Sequence, residues 1–167
     1  MSMNAFYQSA ISFTSQNVGA GKMERINKIL ITSQLLVIMV GLVMGNGVVL
    51  FAEELLGFYS KSPEVIAAGT VRLKYICSLY ALCGMMDVMV GMLRGLGYSV
   101  MPMMVSLLGA CALRLIWLAT LFRMEQFHTV KMIYLTYPVS WTITLLAHIV
   151  CYIVVRVKLR KRWNATN

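Results

Sequence analysis

Glycines beside a lysine, as in Gly19-Ala20-Gly21-Lys22, can cradle the phosphates of a nucleotide. A loop of that kind also needs a glycine five residues before the Gly-Lys pair and a Ser or Thr after the lysine, to wrap the phosphates and hold magnesium. Gln16 and Met23 occupy those positions, and the preceding "FYQSAISFTSQNV" is too rich in hydroxyls and amides for the buried strand such a loop follows. A nucleotide site is therefore not expected. The other residues able to do chemistry stand alone in apolar surroundings: Asp87, Arg114 and His148. Ionisable groups in hydrocarbon are costly and usually face a cavity, a partner or an ion path. Asp87 is a candidate proton or cation site, or a carboxyl hydrogen-bonded near the inner mouth. Arg114 is a candidate cavity residue, or a donor to a helix carbonyl. His148 reads as a neutral packing residue. Cys77, Cys83, Cys111 and Cys151 show no metal-ligand spacing, so no metal site is expected. With no paired carboxylates or activated nucleophile, neither an enzyme nor a cofactor is expected.

The elements that must position these residues are transmembrane helices. The chain is 59% hydrophobic and 13% charged, with a mean hydropathy of +0.75, against about 25% charged residues in a soluble domain. Four apolar runs, 29–52, 75–93, 100–122 and 132–155, are each long enough to cross about 30 Å of hydrocarbon. The first is uncharged, the second holds Asp87, the third Arg114 and the fourth His148. Residues 1–21 are uncharged but polar and would insert weakly alone. If the second and third spans start from one plane, Asp87 lies about 9 Å deep and Arg114 about 21 Å deep, which disfavours a direct salt bridge.

Charge sets the orientation. Lys22, Arg25, Lys28, Arg94, Arg156, Lys158, Arg160, Lys161 and Arg162 fall on one side; Lys61, Arg72, Lys74, Arg123 and Lys131, diluted by acids, fall on the other. The first side is assigned to the cytoplasm, and the basic tail 156–167 to anchoring at anionic headgroups rather than to nucleic acid. Asn164-Ala165-Thr166, on that side, is not read as a glycosylation site. Gly41/Gly45, Gly91/Gly95 and Ser106/Ala110 are pairs at the spacing that lets helices approach closely. A sharper reading is that Gly45-Asn46-Gly47 loosens the first span, as broken helices do where backbone lines a cavity. The fourteen methionines suit core packing or an adaptable cavity equally.

The order "QNVGAGKMERINK", then "GMLRGLGYSVMPMMVSLLGACALRLIW", then "YPVSWTIT" resembles the C-terminal half of the multidrug and toxic compound extrusion (MATE) family, from about Gln8 to Arg162. The residues that carry the likeness are Gln16, Gly19 and Ala20; Leu93, Arg94, Gly95, Gly97 and Pro102; Arg114; and Tyr137, Pro138 and Trp141.

The resemblance implies an all-α integral membrane protein that is a fragment of a twelve-helix transporter built from two six-helix lobes. Residues 1–21 would then be the end of the eighth helix, 22–28 a cytoplasmic loop and 29–155 helices nine to twelve. The implied activity is efflux of organic cations and drugs in exchange for sodium or protons, in the plasma membrane of a bacterial cell, with the C-terminus cytoplasmic. The lipid membrane is the implied partner, with organic cation or drug substrates when the remaining helices are supplied. The family's tenth-helix carboxylate would fall near Cys83, one turn before Asp87. Alone, the chain is expected to be inactive; a non-transporting small membrane protein or a nonfunctional truncated product is the alternative.

Overall fold

A computed structural model describes residues 2–124 and 129–166, and among them every regular element is helical. The order is α1 (Ser2–Gly19), α2 (Arg25–Leu50), α3 (Ala52–Tyr59), α4 (Pro63–Cys77), α5 (Tyr80–Gly95), α6 (Val100–Ser106), a π-helical segment (Leu107–Ala112), α7 (Leu113–Ala119), a 3-10 turn (Leu121–Arg123) and α8 (Val130–Thr166). Three stretches among the described residues are long and apolar enough to cross a membrane: Arg25–Leu50, Val100–Ala119 and Met132–Arg162. A fourth exists if α4 and α5, bent 41° at their junction, are one span. The expected run 75–93 is thus corrected: Tyr75 to Cys77 close α4, and the span breaks at Ser78 and Leu79. No glycine or proline marks that break; it seats the Cys77 carbonyl against Gly45 of α2, a tertiary contact invisible to hydropathy.

α5 is the centre of the bundle, buried along most of its length from Gly84 to Gly95 and packed by α1, α2 and α8. In a membrane the association of helices relies on close van der Waals packing, because lipid tails are as apolar as leucine. Small residues supply the approach. Gly84, Gly91 and Gly95 form a groove on α5 that takes Met3, Ala10 and Thr14 of α1, and Gly41 and Gly45 of α2 receive Ala81 and the Cys77 backbone. Both expected GxxxG pairs are therefore packing surfaces. In the third span Gly109 meets the opposite helix at Thr144, and Ser106 bonds His148. α2 is continuous through Gly45-Asn46-Gly47, with Asn46 Nδ2 donating to the Leu42 carbonyl at 2.9 Å, so that segment is not a helix break.

The turns rest on two other glycines. After α1 the chain reverses through Gly21 (φ +70°), and after α5 through Gly97 (φ +90°), where Gly97 and Tyr98 amides donate to the Arg94 and Leu93 carbonyls and close the helix end. α2 begins at Arg25, so the helix takes up part of the expected loop 22–28. α8 has 37 residues and is about 55 Å long. That exceeds the hydrocarbon thickness of about 30 Å, so the basic end from Arg156 onward stands beyond the apolar layer as helix.

Candidate functional site

Arg114 is held within the bundle by side chains of α8. It lies two residues past the π-helical segment, a feature that re-aims the following residues and recurs at functional sites. Its Nε donates to Ser140 Oγ at 3.0 Å, and its guanidinium lies over the Tyr137 ring at 4.4 Å and the Trp141 ring at 5.9 Å from the centroids. Tyr137 and Trp141 are themselves edge-to-face at 5.9 Å. The cup they form comes from one turn of α8 around Pro138. Proline within a helix leaves a carbonyl without its amide partner, and in membranes hydroxyl side chains help to settle the freed backbone. The hydroxyls around Pro138 bond other carbonyls of the helix: Thr136, Ser140, Thr142 and Thr144 donate to those of Ile133, Tyr137, Pro138 and Ser140, at 2.6–2.9 Å.

From the cup a polar seam continues along the contact between the third and fourth spans. Ser140 faces Arg114, Thr144 faces Gly109, and fully buried His148 shares a 3.1 Å hydrogen bond between its Nε2 and Ser106 Oγ. The residues involved on α8 advance by fours, and their partners recede in antiparallel register. His148 Nδ1 has no hydrogen-bond partner among the described residues. Ser106→Ala would leave the second ring nitrogen unpaired as well, and should cost about 1–3 kcal/mol. Thermal unfolding in detergent, followed by thiol exposure at Cys77, Cys83 and Cys151, measures it. Ser106→Ala/His148→Leu should recover most of the loss, because both polar partners are then gone together.

Asp87 is half-buried on α5 between buried Met86 and Val88, and among the described residues it has neither an ion-pair nor a hydrogen-bond partner. It forms no salt bridge with Arg114. An unpartnered carboxyl at membrane depth can take a proton or a cation. Arg114 keeps its terminal N–H groups free of protein hydrogen bonds among the described residues and offers a fixed positive charge beside two aromatic faces.

The family model MatE matches residues 1–120. The chain belongs to the MatE family. No curated protein and no solved structure matches it. Members of the MatE family are transporters rather than enzymes. The other motif residues of this MatE chain serve as struts. Gln16 Nε2 donates to Ser12 Oγ at 3.2 Å, Gly19 ends α1, and the Ala20 amide donates to the Gln16 carbonyl at 3.0 Å. Arg94 donates to the Tyr7 hydroxyl and lies over its ring at 5.6 Å, which ties α5 to α1. Gly95 faces Thr14, Gly97 makes the turn, and Pro102 is buried in the first turns of α6.

Sequence reasoning did not find Ser140, the bond of Ser106 to His148 or the role of Tyr137. A signal existed: Thr136, Ser140, Thr144 and His148 recur at four-residue steps in an otherwise apolar helix, which marks a polar stripe facing protein rather than lipid.

Proposed function

We propose that the chain forms part of a secondary active antiporter that expels organic cations or drugs in exchange for sodium or protons, in the plasma membrane of a bacterial cell, with its basic end and C-terminus in the cytoplasm. The observation that carries this reading is the Asp87 carboxyl, without a partner among the described residues, at membrane depth in a MatE chain. A carboxylate there binds either the coupling cation or the cationic substrate, and a switch in its occupancy is what an exchange cycle needs. Arg114 serves the same region as a fixed charge that raises the cost of two cations sitting there together. Alternating access needs one repeat to rock against another, so transport requires the chain to assemble with helices equivalent to a first lobe.

Dye efflux from drug-sensitive cells tests this. Co-expression with the first eight helices of a twelve-helix family member should restore ethidium efflux that neither part supports alone. Asp87→Asn should lower that efflux at least tenfold at equal protein level, roughly the worth of one lost charge interaction, and Asp87→Glu should retain more of it. Full efflux in Asp87→Asn would remove Asp87 from the cycle.

A further inference from the structure

At the basic end of the bundle, the turn before α2 and the part of α8 just beyond the apolar core enclose an open cavity of about 1060 Å³. Lys22 and Arg25 line it from one side, Arg156 and Arg160 from the other, with Glu24 the acid among its lining residues. One cation is built in: half-buried Arg156 donates through NH2 to the Met23 carbonyl at 3.3 Å and to Asn27 Oδ1 at 3.2 Å, and the Tyr152 hydroxyl donates to that same oxygen at 3.4 Å. Arg160 lies one helical turn further along the same face of α8. Lys22, Arg25 and Arg160 are exposed and form no ion pair among the described residues. The remaining wall is apolar, formed by exposed Ile153 and Val157, at the level where α8 leaves its apolar stretch.

Four cations converging against one carboxylate call for a phosphate. A soluble phosphate has no use for the apolar wall, whereas a phosphate that carries acyl chains satisfies both parts. We propose that this cavity is a binding site for the phosphodiester headgroup of an anionic phospholipid, held by Lys22, Arg25, Arg156 and Arg160, with the start of its acyl chains against Ile153 and Val157. The lipid would bridge the α1–α2 turn to α8, two parts of the chain joined here by the bonds of Arg156 and Tyr152. The site does not depend on the transport reading.

Native mass spectrometry of the full chain in detergent, offered equal dioleoyl phosphatidylglycerol and dioleoyl phosphatidylcholine, reads the site. The wild type should retain phosphatidylglycerol in preference. A basic residue beside an anionic surface is worth roughly fivefold, so Arg25→Gln/Arg160→Gln should lower that preference about 25-fold. Lys158→Gln/Lys161→Gln, which removes equal charge outside the cavity, should leave it unchanged. An equal fall in both pairs would reduce the effect to diffuse attraction and overturn the site. Displacement of phosphatidylglycerol by excess inorganic phosphate would overturn the lipid as its occupant. Should the arginine pair fail to fold, Lys22→Gln, whose side chain makes no hydrogen bond among the described residues, should lower the preference roughly fivefold, and an unchanged preference there would overturn the site as well.

Discussion

Gly45→Val should destabilise the membrane domain by about 3 kcal/mol, whereas Gly47→Val, two residues along the same helix, should change stability by no more than about 0.5 kcal/mol. A Cβ on Gly45 would meet the carbonyl oxygen of Cys77 and the side chain of Tyr80, whereas one on Gly47 meets open space. The obstacle at Gly45 is backbone at the α4–α5 bend, which has no rotamer to change, so either α2 moves outward or the bend opens. Both outcomes also disturb Gly41, whose own Cβ-free face lies on the Cα of Ala81 one turn away. Thermal unfolding of the two variants in the same detergent decides the matter. Equal changes in the two variants would mean that the Cys77 backbone does not limit the approach at Gly45.

Arg114→Met should leave stability within about 1 kcal/mol of wild type and abolish efflux by the assembled transporter. The balance follows from magnitudes. A guanidinium deep in a membrane helix costs about 2.5–3.5 kcal/mol on insertion scales. Against this stand a hydrogen bond from a charged donor, worth about 1.5–3 kcal/mol, and a desolvated cation–π contact of about 2 kcal/mol. Methionine forfeits all three, and Ser140 keeps its bond to the Tyr137 carbonyl at 2.9 Å, so no buried group is stranded. On that balance the charge is nearly neutral for folding, and under the proposed antiport cycle its role is electrostatic. Arg114→Lys keeps the charge but not the planar stack on Tyr137, and should fall between the two. Unfolding temperature and dye efflux are read on the same preparations. A large loss of stability in Arg114→Met with efflux intact would make Arg114 a strut.

How much of this was legible beforehand depends on whether a property belongs to one segment or to two. That the chain lives in a membrane, that its spans fall near 29–52, 100–122 and 132–155, and that the basic residues collect at one end all follow from single segments. Burying an apolar run against lipid, or keeping Lys and Arg near anionic headgroups, needs no knowledge of what the run packs against. Asp87 and Arg114 stood out for the same reason, since the cost of a charge in hydrocarbon is paid locally. The polar stripe of Thr136, Ser140, Thr144 and His148 was half legible: its four-residue step says that this face of α8 is turned from lipid, but not what it meets.

What it meets is a matter of register and crossing geometry between helices, which no one segment contains. Arg114 finds Ser140 and the rings of Tyr137 and Trp141 because the π-helical segment Leu107–Ala112 shifts the residues after it, and nothing in "LLGACA" announces such a segment. The α4–α5 break was hidden in the same way inside an apolar run, since its energy is returned by the contact of Cys77 with Gly45 in another helix. The contact of Gly109 with Thr144 depends on the rotation of the third span about its axis, a quantity that small-residue spacing leaves free and packing against α8 fixes.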